Sequence, residues 1–284
     1  MKKIFFISLI LLSSLYAQKI VTASILPQKY FIEKIAMDKI HVNIMVQPGA
    51  SPASYEPKTS QMKDLINSEI YFSIGVPFEH SWLNKFKDIN KNMQIIDTSK
   101  GIKKITIAQH HHEAEVHHHD EEETLDPHIW LDPILVKVQA KNILDALIQI
   151  DNKNRNFYYD NYKNFLLELD ALHLKLSTIL KEVKGKSFMV FHPSWGYFAK
   201  RYELEQEAVE KEGKEPKSKE IIALINEAKE DGIKVVFVAP QFSKKSAEII
   251  ANGIGGKTIF IDPLSNEWKE SLLNTSIELV NSYK

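Results

Sequence analysis

Residues 158–183 read YYDNYKNFLLELDALHLKLSTILKEV, and this segment carries the clearest structural signal of the chain. Apolar residues recur through it at alternating spacings of four and three, which places them on one side of a continuous α-helix. These seam residues are Tyr158, Tyr162, Phe165, Leu169, Leu172, Leu176, Ile179 and Val183. A helix of about 30 residues is roughly 45 Å long. The sequence therefore predicts a helix long enough to run the length of two lobes.

The flanks of this helix help to decide what the seam packs against. Neither Gly nor Pro occurs in residues 134–184, and residues 151–154, Asp-Asn-Lys-Asn, form the only break. Their Asp and Asn content is typical of a helix N-cap. A coiled-coil dimer would show the same seam, but the short flanking loops favour a helix that packs within its own chain.

Short segments of β-type residues alternate with helical patterns before and after the long helix, which is typical of parallel α/β units. We predict strands at residues 19–25, 42–47, 69–74, 93–96, 187–191, 206–210, 234–238 and 257–261. The predicted fold class is α/β, with two similar lobes, each a roughly four-stranded, mostly parallel sheet with flanking helices, joined by one long rigid helix. The predicted boundaries are residues 18–150 for the N-terminal lobe, 151–184 for the linking helix and 185–284 for the C-terminal lobe.

The N-terminus has the pattern of a secretory signal peptide. Two lysines follow Met1, residues 4–12 are apolar apart from Ser8, and the small residue Ala17 suits a cleavage site, so we expect residues 1–17 to be removed. An apolar run of this length is too short to cross a bilayer, which takes roughly 20 residues. The chain has no cysteine, so we expect a periplasmic protein without a lipid anchor and without thiolate metal ligands. A formal net charge of -1 gives no nucleic-acid footprint.

Residues 109–123 are rich in histidine and acidic side chains and contain nothing that could fill a core. We therefore expect a solvated loop. Six of the chain's 11 histidines lie in it, and we interpret them as a weak auxiliary zinc site: His110, His111, His112, His117, His118 and His119.

Three residues are candidate metal ligands, because open α/β sheets bind ligands at the carboxyl ends of their strands. His192 and Asp262 each end an apolar strand segment and precede a proline, and Pro193 marks an expected helix start. The backbone of His128 is fixed by Pro127 and Pro133. Neutral imidazole is the commonest metal-ligating side chain, and a carboxylate often completes such a site. The alternatives are structural: a satisfied, buried histidine, or an aspartate that caps a turn.

Four ordered motifs give the chain a resemblance to the cluster A-I metal-binding proteins of ABC importers, over nearly all of residues 18–284. They are PGASP at residues 48–52 with YEP at 55–57, DPHIWL at 126–131, HPSWGY at 192–197 and IDPL at 261–264. The resemblance implies two lobes joined by one rigid helix, with a metal ion bound between them. It also implies that His128, His192 and Asp262 are ligands.

One position departs from the family pattern. The first motif of the family usually has a histidine after the second proline, and Ala53 stands there in this chain. A water molecule or another side chain must then complete the site. Carboxylates suit the vacancy. Glu56, near an expected helix start at Pro57, is one candidate, and Glu79 and Glu210 are others. His80 is a further alternative, unless it is simply an exposed residue.

The ligand types and the resemblance together predict a function. Imidazole ligands favour zinc, whereas carboxylate-rich sites favour manganese, which stays open as an alternative cargo. We expect a monomer that captures zinc and docks on an inner-membrane ABC permease, and not an enzyme. A metal-dependent hydrolase would need a general base and a substrate pocket, and no HExxH motif is present. A surface adhesin is a further alternative, against which the missing anchor cysteine argues.

Overall fold

The computed structural model describes residues 18–107, 125–210 and 214–284. The expected signal peptide and the histidine-rich segment, with its six candidate zinc-binding histidines, lie outside the described residues. Within those ranges, no helix is both long enough and apolar enough to cross a membrane.

The described residues form two four-stranded sheets in which every strand pairing is parallel. The strands are β1 (Lys19–Ala23), β2 (Ile40–Ile44), β3 (Ile70–Ser73), β4 (Gln94–Asp97), β5 (Ser187–Val190), β6 (Glu205–Ala208), β7 (Val235–Val238) and β8 (Lys257–Phe260). The sheet orders are β2-β1-β3-β4 and β6-β5-β7-β8, so both lobes repeat one topology. The predicted fold class and its eight strands are confirmed, with ends displaced by a few residues.

Helices flank both sheets. The α-helices are α1 (Leu26–Ala36), α2 (Thr59–Leu65), α3 (Pro77–Ile89), α4 (Pro133–Ile150), α5 (Arg155–Leu180), α6 (Gly196–Arg201), α7 (Ser218–Glu230), α8 (Lys244–Gly253) and α9 (Trp268–Ser282). Short 3-10 turns occupy Met37–Lys39, Ile129–Leu131, Asn152–Asn154 and Lys181–Val183. Two helices begin later than expected from the prolines before them: α2 two residues after Pro57, and α6 three residues after Pro193.

The long helix of 26 residues is α5, which is roughly 39 Å long. Seven of the eight predicted seam residues lie in α5, and Val183 lies in the 3-10 turn that follows it. Six of the eight are buried, and Tyr162 and Ile179 are partly buried. Helices α1, α4 and α9 of the same chain cover the seam. The prediction of intramolecular packing is therefore confirmed. The expected N-cap does not form, because the Asn154 side chain donates to Asp151 Oδ2 (2.6 Å) instead of capping the helix.

The C-terminal helix α9 also packs on the N-terminal lobe. The buried Trp268 ring meets the Phe31 ring of α1 edge-on, with centroids 5.0 Å apart. Trp268 Nε1 donates to the carbonyl oxygen of Trp130 (2.7 Å), and Trp130 Nε1 donates to that of Pro263 (2.7 Å). Since these bonds join segments of both lobes beneath the cleft, they restrict how far one lobe can move against the other.

Candidate metal centre

A cavity of about 220 Å³ lies between the two lobes. Its walls come from both halves of the chain: Ser51, Pro52, Ala53, Gly75, Val76, Pro77, His80, Ile107, Leu125, Pro127, His128, Trp130, His192, Ser194, Gln241, Phe242, Pro263 and Leu264. The His128 and His192 rings face each other across it, with centroids 5.3 Å apart and planes inclined by 72°. The structure thus brings together two of the predicted ligands, from opposite lobes.

His128 is held by a buried carboxylate two residues before it. Asp126 Oδ1 lies 2.7 Å from His128 Nδ1 and also accepts the His128 backbone N–H at 2.8 Å. Burial lowers the pKa of His128, which favours the neutral ring. A carboxylate only accepts hydrogen bonds, so Nδ1 carries the proton of a neutral ring and Nε2 keeps the lone pair that a metal needs.

His192 is held in a similar way, and strand register explains why. Strand β5 pairs with β6 at a constant offset, with Val190 opposite Ala208, and the same offset places His192 beside Glu210. Glu210 Oε1 lies 2.5 Å from His192 Nδ1. The Phe242 ring stacks on the other side of the imidazole, with centroids 5.0 Å apart and planes 21° apart. In both imidazoles a hydrogen bond at Nδ1 orients the ring, and Nε2 remains available to bind a metal ion.

Asp262 and Glu56 lie outside the set of residues that line the cavity. Asp262 Oδ1 accepts from the backbone N–H of Leu264 (2.9 Å) and from Gln241 Nε2 (3.3 Å), so the aspartate also has the turn-capping role that was its structural alternative. Its half-buried side chain is adjacent to the cavity wall formed by Leu264 and Gln241. Glu56 is exposed.

The N-terminal wall of the cavity carries Ala53 and His80. Glu79, next to His80, points away into the lobe: its carboxylate accepts from the backbone N–H groups of Ile74 (3.1 Å) and Gly75 (2.7 Å) and from Ser24 Oγ. Burial raises the pKa of Glu79 to about 7. Glu79 therefore holds the backbone of this wall and has no free carboxylate to offer the cavity.

The ligand set is not closed around a metal in this conformation. Across residues 18–107, 125–210 and 214–284, no three His, Asp or Glu side chains lie close enough to hold one ion together. The described residues thus bring two candidate imidazoles together without a third candidate side chain beside them.

The chain matches the family model described as ZnuA, zinc-uptake complex component A, periplasmic, over residues 21–282. The chain belongs to this family. A relative is the high-affinity zinc uptake system protein ZnuA of Bacillus subtilis, 29% identical over 255 residues that cover 88% of this chain and 80% of the relative. The protein of the same description from Yersinia pestis is 26% identical over 288 residues, covering 94% and 91%.

Solved structures agree with this ZnuA-family membership. A crystal structure of ZnuA is 40% identical, covers 94% of this chain and 100% of its own, and superposes with a TM-score of 0.87. A zinc-bound deletion mutant of ZnuA, also 40% identical, covers 93% and 98% with a TM-score of 0.85. Both support the two-lobed architecture described above.

Two important residues of this ZnuA-family site, Asp126 and Glu210, were assigned no orienting role from the sequence. Asp126 is two residues before His128, a spacing at which a carboxylate can reach the ring. The sequence therefore contains a signal for this contact. Glu210 is 18 residues from His192 and becomes its neighbour only through the β5–β6 register, which sequence alone does not fix. Glu210 was considered as a metal ligand, whereas in the structure its Oε1 bonds to the imidazole.

Proposed function

We propose that this protein captures one zinc ion in the periplasm and delivers it to an ABC permease of the inner membrane. The observation that carries the proposal is the pair His128 and His192, which face each other across the cleft with Nδ1 of each beside a buried carboxylate. Carboxylate–histidine pairs of this kind are a common feature of zinc sites, because the carboxylate fixes the ring and raises its basicity.

The donor set favours zinc over manganese. His128 and His192 present nitrogen, which suits zinc, whereas manganese prefers sites rich in carboxylate and water oxygen. Asp262 is the proposed oxygen ligand from the C-terminal lobe: Oδ1 is bonded, while Oδ2 has no hydrogen-bond partner among the described residues. Glu56, the sequence-based candidate for the vacancy left by Ala53, is supported less, since it is exposed and away from the cavity lining.

Capture depends on a difference in zinc affinity between the arrangements of the two lobes. Zinc bound by residues of both lobes favours the arrangement in which those residues are closest, and this arrangement is the one that the permease would recognise. The tryptophan hydrogen bonds beneath the cleft keep the lobe movement small. The N-terminal signal peptide would direct the chain to the periplasm, where residues 109–123 would collect zinc weakly. The proposal requires binding and release, and no bond-breaking chemistry.

The test is a zinc titration of the full-length, metal-free protein against a high-affinity chelator, so that only the tight site is measured. We expect one tight zinc, and in His128→Ala and His192→Ala a loss of affinity above about 100-fold, beyond the range for residues outside the ligand set. The exposed His41, on β2, provides the control His41→Ala, which should bind as the wild type does. Tighter binding of manganese than of zinc, or tight binding that survives both substitutions, would overturn the proposal.

A further inference from the structure

His80 is a third imidazole at the cavity, on the wall opposite His192. We propose that His80 is a zinc ligand and supplies the imidazole that Ala53 cannot. The proposal rests on the function proposed above and adds a ligand that comes from α3 instead of from the loop at residues 48–57.

His80 and Ala53 belong to the same corner of the molecule. The backbone N–H of Phe78, in the first turn of α3, donates to the carbonyl oxygen of Pro52 (3.1 Å). The Phe78 ring meets the Tyr55 ring edge-on, with centroids 5.7 Å apart. This hydrogen bond and ring contact fix the Ala53 loop against the start of α3, and both Ala53 and His80 line the cavity.

The backbone that carries His80 is anchored, while its ring is free. The adjacent Glu79 is buried and bonds the N–H groups of Ile74 and Gly75, so the first turn of α3 is fixed at the end of β3. The His80 side chain is exposed, and within the described part of the chain it makes no hydrogen bond or ion pair. Rotation about its two side-chain torsions therefore breaks no contact of this kind, and it can turn the ring into the cavity.

Each competing side chain for the vacancy is occupied or displaced. Glu79 is bonded to backbone amides, and Glu210, bonded to His192 through Oε1, is not among the residues that line the cavity. Glu56 does not line the cavity. His80 is therefore the candidate whose coordinating atoms are free and whose side chain already reaches the cavity wall.

Three imidazoles and one carboxylate suit a single metal well. With His128, His192 and Asp262, His80 completes a four-coordinate set of three nitrogens and one oxygen, which is typical of tetrahedral zinc. Such a set also disfavours manganese, which prefers oxygen ligands. His80 would thus contribute to selectivity as well as to affinity.

The test compares His80→Ala with the control His41→Ala by chelator competition on the full-length protein. We expect His80→Ala to lose zinc affinity by more than the roughly 10–100-fold typical of partners outside the ligand set, and His41→Ala to lose none. X-ray absorption of the protein loaded with one zinc should count three imidazoles in the wild type and two in His80→Ala.

A second variant separates loss of a ligand from damage to the fold. Adding Ala53→His to His80→Ala should restore the third imidazole and most of the affinity, because Ala53 lines the same cavity. If His80→Ala binds zinc as the wild type does while His128→Ala does not, the role of His80 is refuted and the proposed function stands. If the wild type itself has no tight zinc site, both proposals fail.

Discussion

Buried carboxylates support the histidines of the cavity in two different ways. Asp126 and Glu210, in opposite lobes, bond directly to the rings of His128 and His192. Glu79 instead bonds to backbone amides and leaves the neighbouring ring of His80 in solvent. The first arrangement fixes the imidazole ring itself, whereas the second fixes only the helix that carries the imidazole.

The difference suggests an order of events in zinc capture. Because His128 and His192 are already oriented, they would meet the ion first at little entropic cost. His80 must then give up its freedom to rotate, which costs on the order of 1 kcal/mol for a side chain of this size. If His80 is a ligand as proposed, this cost lowers the affinity and makes His80 the ligand that would leave first when zinc is released.

The largest expected effect is on the stability of the fold and comes from Glu79, which holds the backbone beside His80. The carboxyl pKa is about 7 in the folded protein and near 4.5 in the unfolded chain, so the folded state holds the proton more tightly. Glu79 therefore adds up to about 3 kcal/mol to the free energy of unfolding below pH 4.5, and this contribution is lost as the pH rises to 7. Relative to Glu79→Gln, which does not titrate, the metal-free wild type should lose free energy of unfolding over this range.

The measurement is denaturant unfolding of both proteins at several pH values between 4.5 and 7.5. Glu56→Gln, an exposed carboxylate of the same lobe, is the matched control and should show no such trend. A difference between wild type and Glu79→Gln that stays constant with pH would mean that Glu79 is ionised throughout and holds the wall as a carboxylate.

The next effect concerns the two carboxylates that bond to imidazole rings. Asp126→Asn and Glu210→Gln keep the size of each side chain and remove its charge, so each imidazole loses the charged partner that fixes its ring. We expect zinc affinity to fall roughly 10–100-fold in each, measured by chelator competition. Asp88→Asn, an exposed residue of α3, should leave affinity unchanged. Unchanged affinity in both variants would mean that packing alone orients the two rings.

Much of the fold could be predicted from the sequence because its signals are local. The apolar seam that begins at Tyr158 predicted the long helix. Eight short segments that alternate with helical patterns predicted the eight strands, although residues 206–210 are mostly polar. Helix starts were less predictable: a proline suggested a start at residue 193, whereas α6 begins at Gly196. In between, the Ser194 backbone N–H bonds to the carbonyl oxygen of His192 (2.7 Å), so the chain first makes a tight turn.

The site could be predicted only in part, because its support depends on contacts between distant residues. His128 and His192 were expected to meet, and their rings do lie 5.3 Å apart. That Glu79 faces the core while its neighbour faces the cavity depends on the rotation of α3, which its sequence alone does not fix. The metal ligands themselves remain predictions.

A smaller effect is expected at Gly196, where α6 approaches the carboxylate that holds His128. A Cβ atom at this position would lie 2.9 Å from Asp126 Oδ2, closer than side-chain atoms normally come. Gly196→Ala should therefore displace Asp126 by a few tenths of an ångström and lower zinc affinity about tenfold, the lower end of the range for such partners. Ala199→Gly, in the same helix, removes a Cβ instead of adding one and should leave affinity unchanged while weakening the helix. Equal affinities for Gly196→Ala and the wild type would show that Asp126 has room to move without disturbing His128.

The smallest effect is expected at Phe242, whose ring stacks on His192 and also on Phe191, with centroids 5.4 Å from the latter. Leucine keeps the apolar cover and loses the stacking, and stacked aromatic pairs are worth about 0.5–1.5 kcal/mol. Because Glu210 still holds Nδ1, Phe242→Leu should weaken zinc binding only about two- to fivefold. The exposed Phe260 of β8 gives the control Phe260→Leu, which should have no effect. In the double variant Phe242→Leu, Glu210→Gln, His192 loses both supports and becomes as free as His80. If that double variant loses no more than Glu210→Gln alone, the stacking does not orient the ring, and the contrast between the fixed imidazoles and the free one rests on the carboxylates.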